Sequence, residues 1–387
     1  MPCANSEGSK LLNNDTVPKY IFDGHKLAWH TERIAEWEAG ERIAPIGIDM
    51  ALTRSCQASC RGCYAMLQES QERNSISVDQ GLHFVDDCAA IGVKSISLIS
   101  DGESTLSKAY IPFIKHASAS GIDVGNATNG WVLTPDKAEQ VLPHLTWIRY
   151  TVLAGRPQTY VKLMHHDPSA LDVYWKAMYN ISEAVRIKKK NGLAVTIGIQ
   201  TFVTPDDVDE VRAFAQLALD LGVDYAVIKH TSDDEFGTLG IEYEKYNILE
   251  NALLEAEALS TPQTQIMVKW SKIRDGNIMP YKRVYGMAFL LQISGSGLVA
   301  PSGMFFNARY SKLHIGDFTQ ERFIDIWRSD RYWDAMAYLA STAFDAQTMM
   351  GSLPIQHYAN IALDRHVRGI EKIMPSTNPA PPHVNFV

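Results

Sequence analysis

Cysteine is scarce: five residues in 387, an odd number, with three inside eight consecutive positions. That distribution excludes a disulfide framework and fits a reducing, cytoplasmic setting. Long hydrophobic runs are lacking too. No stretch approaches the ~18–20 apolar residues of a membrane span, and the first forty residues hold no apolar run flanked by basic ones, so no signal peptide and no membrane association are expected. Positive charge is also short, with a formal net charge of −8. A nucleic-acid surface, which would need clustered Lys and Arg, is therefore not expected. The one dense basic run, Arg186-Ile187-Lys188-Lys189-Lys190, reads as the solvated C-terminal end of a helix, where cations complement the dipole.

The rest is an ordinary globular balance, 46% hydrophobic and 21% charged, enough for a real core. Residues 1–45 read as an N-terminal extension, polar and loose at first, with a short helix in HTERIAEWEAGERIAP. From 46 to 240, strand-like runs alternate with helical patterns, at Ile46–Leu52, Ser95–Ser100, Asp123–Asn126, Trp147–Leu153, Ala194–Val203 and Tyr225–Lys229. Helix-start signals fall between them: Ser77 with Gln80 as a capping box, then Thr134-Pro135 and Thr204-Pro205. Six such units predict an α/β chain with an open (βα)6 barrel. A helical connector is expected over 241–279, then a small α+β C-terminal domain over 280–387. In that domain FLLQISGSGLVAP reads as a hairpin, Ile324–Tyr338 as an amphipathic helix and PSTNPAPPHVNFV as an extended tail.

The three clustered cysteines, Cys56, Cys60 and Cys63, directly follow the first strand, in a βα loop at the end of the barrel where active sites form. Structural zinc needs four ligands, usually as two spaced pairs. The other cysteines, Cys3 and Cys88, supply no second pair. The alternative is a cubane iron–sulfur cluster held by three thiolates, with one iron left open.

At this point the sequence resembles the radical S-adenosylmethionine (SAM) enzymes, whose Cys-x3-Cys-x2-Cys signature Cys56-Gln-Ala-Ser-Cys60-Arg-Gly-Cys63 matches. Such enzymes often carry an aromatic before the last cysteine; here Gly62 stands there and Tyr64 follows. Asp101-Gly102-Glu103, at the second strand end, resembles the family's Gly-Gly-Glu contact to the SAM amino group. Thr128-Asn129-Gly130 and Thr151 match positions near SAM at the third and fourth strand ends, and Gln200 is a weaker match on the fifth. The resemblance implies one [4Fe-4S] cluster, SAM as cosubstrate, a partial (βα)6 radical SAM barrel, an electron donor such as flavodoxin or ferredoxin, and hydrogen abstraction by a 5′-deoxyadenosyl radical.

The region after residue 280 resembles the SPASM/twitch extension, nearest the branch with peptide epimerases of proteusin-type natural products. Where such extensions place cluster cysteines, this chain has Thr231, Ser302 and Pro354, and no cysteine follows Cys88. An auxiliary cluster with cysteine ligands is excluded on that count. Without that electron sink, a redox-neutral epimerisation or isomerisation of a peptide or small natural product is the leading expectation. Dehydrogenation, decarboxylation and a non-catalytic iron–sulfur or peptide-binding module are the alternatives. Cys88 is the barrel's thiol candidate for a hydrogen donor, although Phe84, Val85 and Cys88 at helical spacing read as core. Lys229 and His230, ending the sixth strand, are candidate substrate contacts, and Asp233, Asp234 and Glu235 form an acidic loop after them.

Overall fold

The computed structural model describes residues 20–63, 75–234, 236–350 and 352–387. Seven parallel strands follow one another in chain order: β1 (Gly47–Met50), β2 (Ser95–Leu98), β3 (Asp123–Thr128), β4 (Trp147–Thr151), β5 (Thr196–Val203), β6 (Tyr225–His230) and β7 (Gln265–Val268). Helices cover their outer face and most strand residues are buried, SISL in β2 throughout. Capping behaves as the sequence anticipates. Ser77 accepts from Gln80 N and donates its own N–H to Gln80 Oε1 at the start of the helix Val78–Ile91. Thr204 pairs likewise with Asp207 ahead of Val208–Leu221. Thr134 precedes the helix Pro135–Val141 but makes no side-chain cap bond.

The six-stranded partial barrel is present, and three differences enlarge it. Residues 241–279 are not purely helical, because β7 lies inside them and pairs with β6. The C-terminal region is not a separate layer: β8 (Leu290–Ile293) pairs in parallel with β1, and β9 (Leu298–Ala300) returns antiparallel to β8 through the Ser-Gly-Ser-Gly turn. With β10 (Gly316–Asp317) the sheet reaches ten strands. The expected amphipathic helix is two, Phe323–Arg328 and Asp330–Ala340, broken at Ser329.

The tail is more than extended chain. It turns under the N-terminal ends of the strands, where Ser95 Oγ donates to Asn385 O (2.7 Å) and Asn385 Nδ2 donates to Asp123 (2.8 Å). His383 meets Thr196 Oγ1, and Phe386 packs edge-on against Trp147. This floor leaves the opposite end, where the strands finish, as the mouth. No helix among the described residues is long and apolar enough to cross a membrane.

Candidate functional site

The cysteine loop leaves β1 and is fastened at both ends. Further along, Ser59 N donates to Met164 O (3.0 Å) and Arg61 N to Leu163 O (2.7 Å), docking the loop on the end of the helix Pro157–Met164. Arg61 also pairs with Asp207 at 2.5 Å. Between the second and third cysteines the backbone turns at Gly62 with φ +71°, and a Cβ there would meet Thr231 Cγ2 at 2.8 Å. That crowding explains glycine where an aromatic is common.

At its start the loop is clamped by two glycines from distant segments. A Cβ on Gly102 would lie 1.9 Å from Thr53 O, and one on Gly295, in the β8–β9 turn, 2.3 Å from Thr53 C. The Thr53–Arg54 peptide is thus held between the β2 loop and the C-terminal hairpin, which only side-chain-free backbone permits.

Cys56 is exposed on the loop and Cys60 and Cys63 are half-buried, close enough that their thiolates would repel one another. Burial pushes Cys56 up to about 11 and Cys60 well above the usual thiol range, with Glu103 and the neighbouring cysteines adding to both. Among the described residues no three His, Cys, Asp or Glu side chains already form a closed metal-binding group. The donor chemistry nonetheless fits a cluster with one open iron. Three thiols on one short loop repel as thiolates until a cationic centre compensates them. Beside Cys56, the buried Gln57 Oε1 has no hydrogen-bond partner, while Gln57 Nε2 donates to Asn129 Oδ1 (3.1 Å).

Around this loop the strand ends converge. Glu103, fully enclosed, accepts from Thr105 Oγ1 (2.6 Å), Thr128 Oγ1 (2.8 Å) and Asn129 N (2.8 Å). Burial raises its pKa against the lowering effect of these donors. Asn129 Nδ2 in turn reaches to 3.9 Å of Cys56 Sγ. The structure therefore brings Cys56, Glu103, Thr128 and Asn129 into one network. Thr151 ends β4 opposite Gln200 of β5 on the same layer.

Other sequence candidates fall elsewhere. Asp101 is corrected from ligand contact to structural clamp: Ser294 Oγ (2.6 Å), Gly295 N (2.8 Å) and Arg54 Nε (2.9 Å) occupy its carboxylate. Cys88 is corrected as well. It lies fully buried in the outer helix Val78–Ile91, beneath the C-terminal helices near Tyr332, and not in the lumen. The acidic loop does not present a cation trap. Asp233 accepts from Leu239 N and Ile241 N, and Asp234 from Phe236 N, Thr238 N and Thr238 Oγ1, so both carboxylates fold their own loop. A cavity of about 360 Å³ opens beside that loop, lined by Tyr243, Asn277, Met279 and Gln347 among others. His230 is buried with its ring edge-on to Tyr243 and Tyr246, and Lys229 lies over the Phe202 ring. Tyr64, Cys3 and Glu235 lie outside the described residues. Gln57, Arg54 and Gly295 were not anticipated. The only sequence signal was the glycine-rich turn, read as a hairpin and nothing more.

Enclosed lysines give the fold a pH signature. Burial lowers Lys269 to about 7 and Lys272 and Lys26 to about 8. Between those values and the ordinary lysine pKa the unfolded chain binds more protons, so stability rises with pH. Asp49, raised to about 7 by burial, works in the opposite sense only below that value. Ligand-free protein is thus expected to gain stability from pH 7 to 9, by up to ~1.4 kcal/mol per unit for each titrating lysine, measured by urea unfolding at each pH.

No family model matches the chain. It is 22% identical over 304 residues to an AdoMet-dependent heme synthase of Methanosarcina barkeri, covering 74% of this chain and 83% of that protein. It is 23% identical over 309 residues to a tungsten-containing aldehyde ferredoxin oxidoreductase cofactor-modifying protein of Pyrococcus furiosus, covering 73% and 81%. Among solved structures it resembles SuiB of Streptococcus suis bound to S-adenosylmethionine, with TM-score 0.60, 13% identity, and 80% and 72% of the two chains covered. It also resembles anSMEcpe with bound AdoMet, with TM-score 0.56, 13% identity, and 77% and 81% covered. The structural likeness shows the fold, α/β with a mostly parallel sheet, and the names of the relatives support a place in the radical SAM superfamily.

Proposed function

We propose that this chain is a radical SAM enzyme in which Cys56, Cys60 and Cys63 hold a single [4Fe-4S] cluster and the neighbouring strand ends hold SAM. The observation that carries the reading is the linked network from Cys56 through Asn129 to Glu103 and Thr128, joining the thiol loop to the second and third strand ends. The relatives named for AdoMet, and the similar structures with AdoMet bound, support it.

With SAM bound, such a cluster supplies reductive cleavage to a 5′-deoxyadenosyl radical that takes a hydrogen atom from substrate. This chain's residues govern the rest. Glu103, fixed by Thr105, Thr128 and Asn129, keeps one oxygen shared only with Asn129 N, positioned as an acceptor for an ammonium group. Gln57 offers its unpartnered carbonyl beside Cys56. The tail residues Asn385 and Phe386 pack against the strand starts beneath the lumen.

The substrate is a peptide or small natural product, and the outcome is redox-neutral. SuiB bound to its precursor peptide SuiA and anSMEcpe with bound Kp18Cys peptide are similar structures that support a peptide. Epimerisation and isomerisation both need no second electron acceptor. Cys88 lies away from the lumen, and epimerisation depends on a hydrogen donor there, so isomerisation is favoured. The test is anaerobic reconstitution with iron, sulfide, SAM and a reductant such as reduced flavodoxin or dithionite. About four irons per chain and formation of 5′-deoxyadenosine are expected. A colourless protein with one zinc, or no 5′-deoxyadenosine with any reductant, would overturn the reading. Deuterium uptake from solvent into the product would replace isomerisation by epimerisation.

A further inference from the structure

Four cationic side chains gather in the barrel from four segments. Arg149 shares a face of β4 with Thr151, two residues nearer the floor, which places it about 7 Å below at ~3.3 Å per residue. Its guanidinium lies 5.4 Å from the Trp147 ring. Lys229 is the register partner of Phe202 and lies 6.0 Å from that ring's centre. Lys269 follows β7 directly and is fixed beside β6 by its backbone N–H to Ile228 O (2.9 Å). Lys272 stands one turn on, in the helix Trp270–Asp275.

Among the described residues none of the four makes a side-chain hydrogen bond or an ion pair within 4 Å, and Arg149 Nε is buried without a partner. Two histidines beside them, each 1% exposed, also carry a buried Nε2 without a partner: His230 and His357. The cations depress one another. Lys229 falls well below the ordinary lysine range through burial first, then through Lys272, Arg149 and Lys269.

Two carboxylates, Asp23 and Asp49, face four cations and leave the group with an excess of positive charge. Asp23 acts on Lys269 and Lys272 but is already bound by Ser271 N and Ser271 Oγ. Asp49 acts with Arg149. Holding half-buried, unpaired like charges close together opposes folding. Stability alone therefore gives no reason for the arrangement, whereas an anionic ligand does.

We infer that the barrel interior receives a substrate bearing at least two anionic groups, carboxylate or phosphate, bound by Arg149, Lys229, Lys269 and Lys272 beneath the cysteine loop. The assignment deepens the proposed radical SAM reading and rests on it for the place of the reacting carbon, next to Thr151, with Arg149 two residues below that layer and Lys229 two residues nearer the mouth by strand register. It also gives the partner-free Nε2 of His357, whose Nδ1 can accept from Tyr281 Oη, a donor's work at the edge of the same anion.

The test uses the reconstituted full-length protein, with tricarballylate and inorganic phosphate as probes at constant ionic strength, by calorimetry and thermal melting. The wild type is expected to bind at least one probe and to melt higher with it. The anion that binds more tightly identifies the carboxylate or the phosphate source. Lys229→Met and Lys269→Met should each weaken binding at least tenfold while melting higher than wild type without probe, because they relieve repulsion. Lys229→Arg should bind within threefold of wild type. A wild type that binds neither probe overturns the inference, as do Met variants that bind normally or that lose stability and leave binding unchanged. The same samples are assayed for 5′-deoxyadenosine. If none forms while probe binding and its loss in the variants hold, the reaction reading fails and the anion site stands. If it forms and neither probe binds, the anion site alone fails.

Discussion

Cys60→Ala is expected to yield a folded, colourless protein that binds little iron and forms no detectable 5′-deoxyadenosine. Cys60 is pushed well above the ordinary thiol range by burial and by Cys63, Cys56 and Glu103. Alanine removes that electrostatic burden and keeps the small volume, so the fold should not suffer. The loop remains docked through Ser59 N and Arg61 N, which are backbone contacts. A cubane held by three thiolates cannot lose one without losing its geometry. The checks are iron and sulfide content, visible absorption and a thermal melt. A variant that unfolds, or one that keeps full iron and turnover, would contradict this account of the loop.

Gly295→Ala is expected to have the second-largest effect, from a residue more than two hundred positions away in the chain. Its new Cβ would stand 2.3 Å from Thr53 C and 2.7 Å from Arg54 N, backbone atoms that cannot rotate aside. Either the β8–β9 turn or the start of the cysteine loop must move. Movement of the turn would also strip Asp101 of its bonds from Ser294 Oγ and Gly295 N, leaving a buried carboxylate facing Arg54 alone. Overpacking of this kind costs ~1–3 kcal/mol, and displaced supporting contacts lower metal retention ~10–100-fold. Iron retention after gel filtration and the urea midpoint measure both parts. Ser296→Ala, in the same turn, removes only a hydroxyl contact to Ser294 and should behave as wild type. Equal iron retention in Gly295→Ala and wild type would show that the hairpin does not hold the loop.

The sequence made the local parts of this structure legible. Each of the six barrel strands overlaps its expected run, with β3 and β6 ending two residues and one residue beyond it, because apolar periodicity and Ser77, Thr204 and Pro135 mark boundaries by short-range chemistry. The cysteine loop was legible for the same reason: its spacing is local. What escaped depends on pairing across the chain. β7 is only Gln-Ile-Met-Val, too short to stand out until β6 offers it an edge. β8 reads as half a hairpin, and nothing in its residues announces that its other edge meets β1. Asp101 looked like a ligand contact because it precedes Gly102-Glu103, and its partners Arg54, Ser294 and Gly295 lie in remote segments. The cation group is hidden for the same reason, since Arg149, Lys229, Lys269 and Lys272 come together only when β4, β6 and β7 curve around one lumen. The tail's composition suggested extended chain, while Asn385 and Phe386 give it a place under the barrel.

Electron paramagnetic resonance of the anaerobically reconstituted, dithionite-reduced protein tests the central claim most directly. The account predicts the signal of a single reduced [4Fe-4S] cluster, changing in g-values when SAM is added and absent from Cys60→Ala. A reduced protein with no such signal, or a signal that SAM leaves untouched, would contradict it.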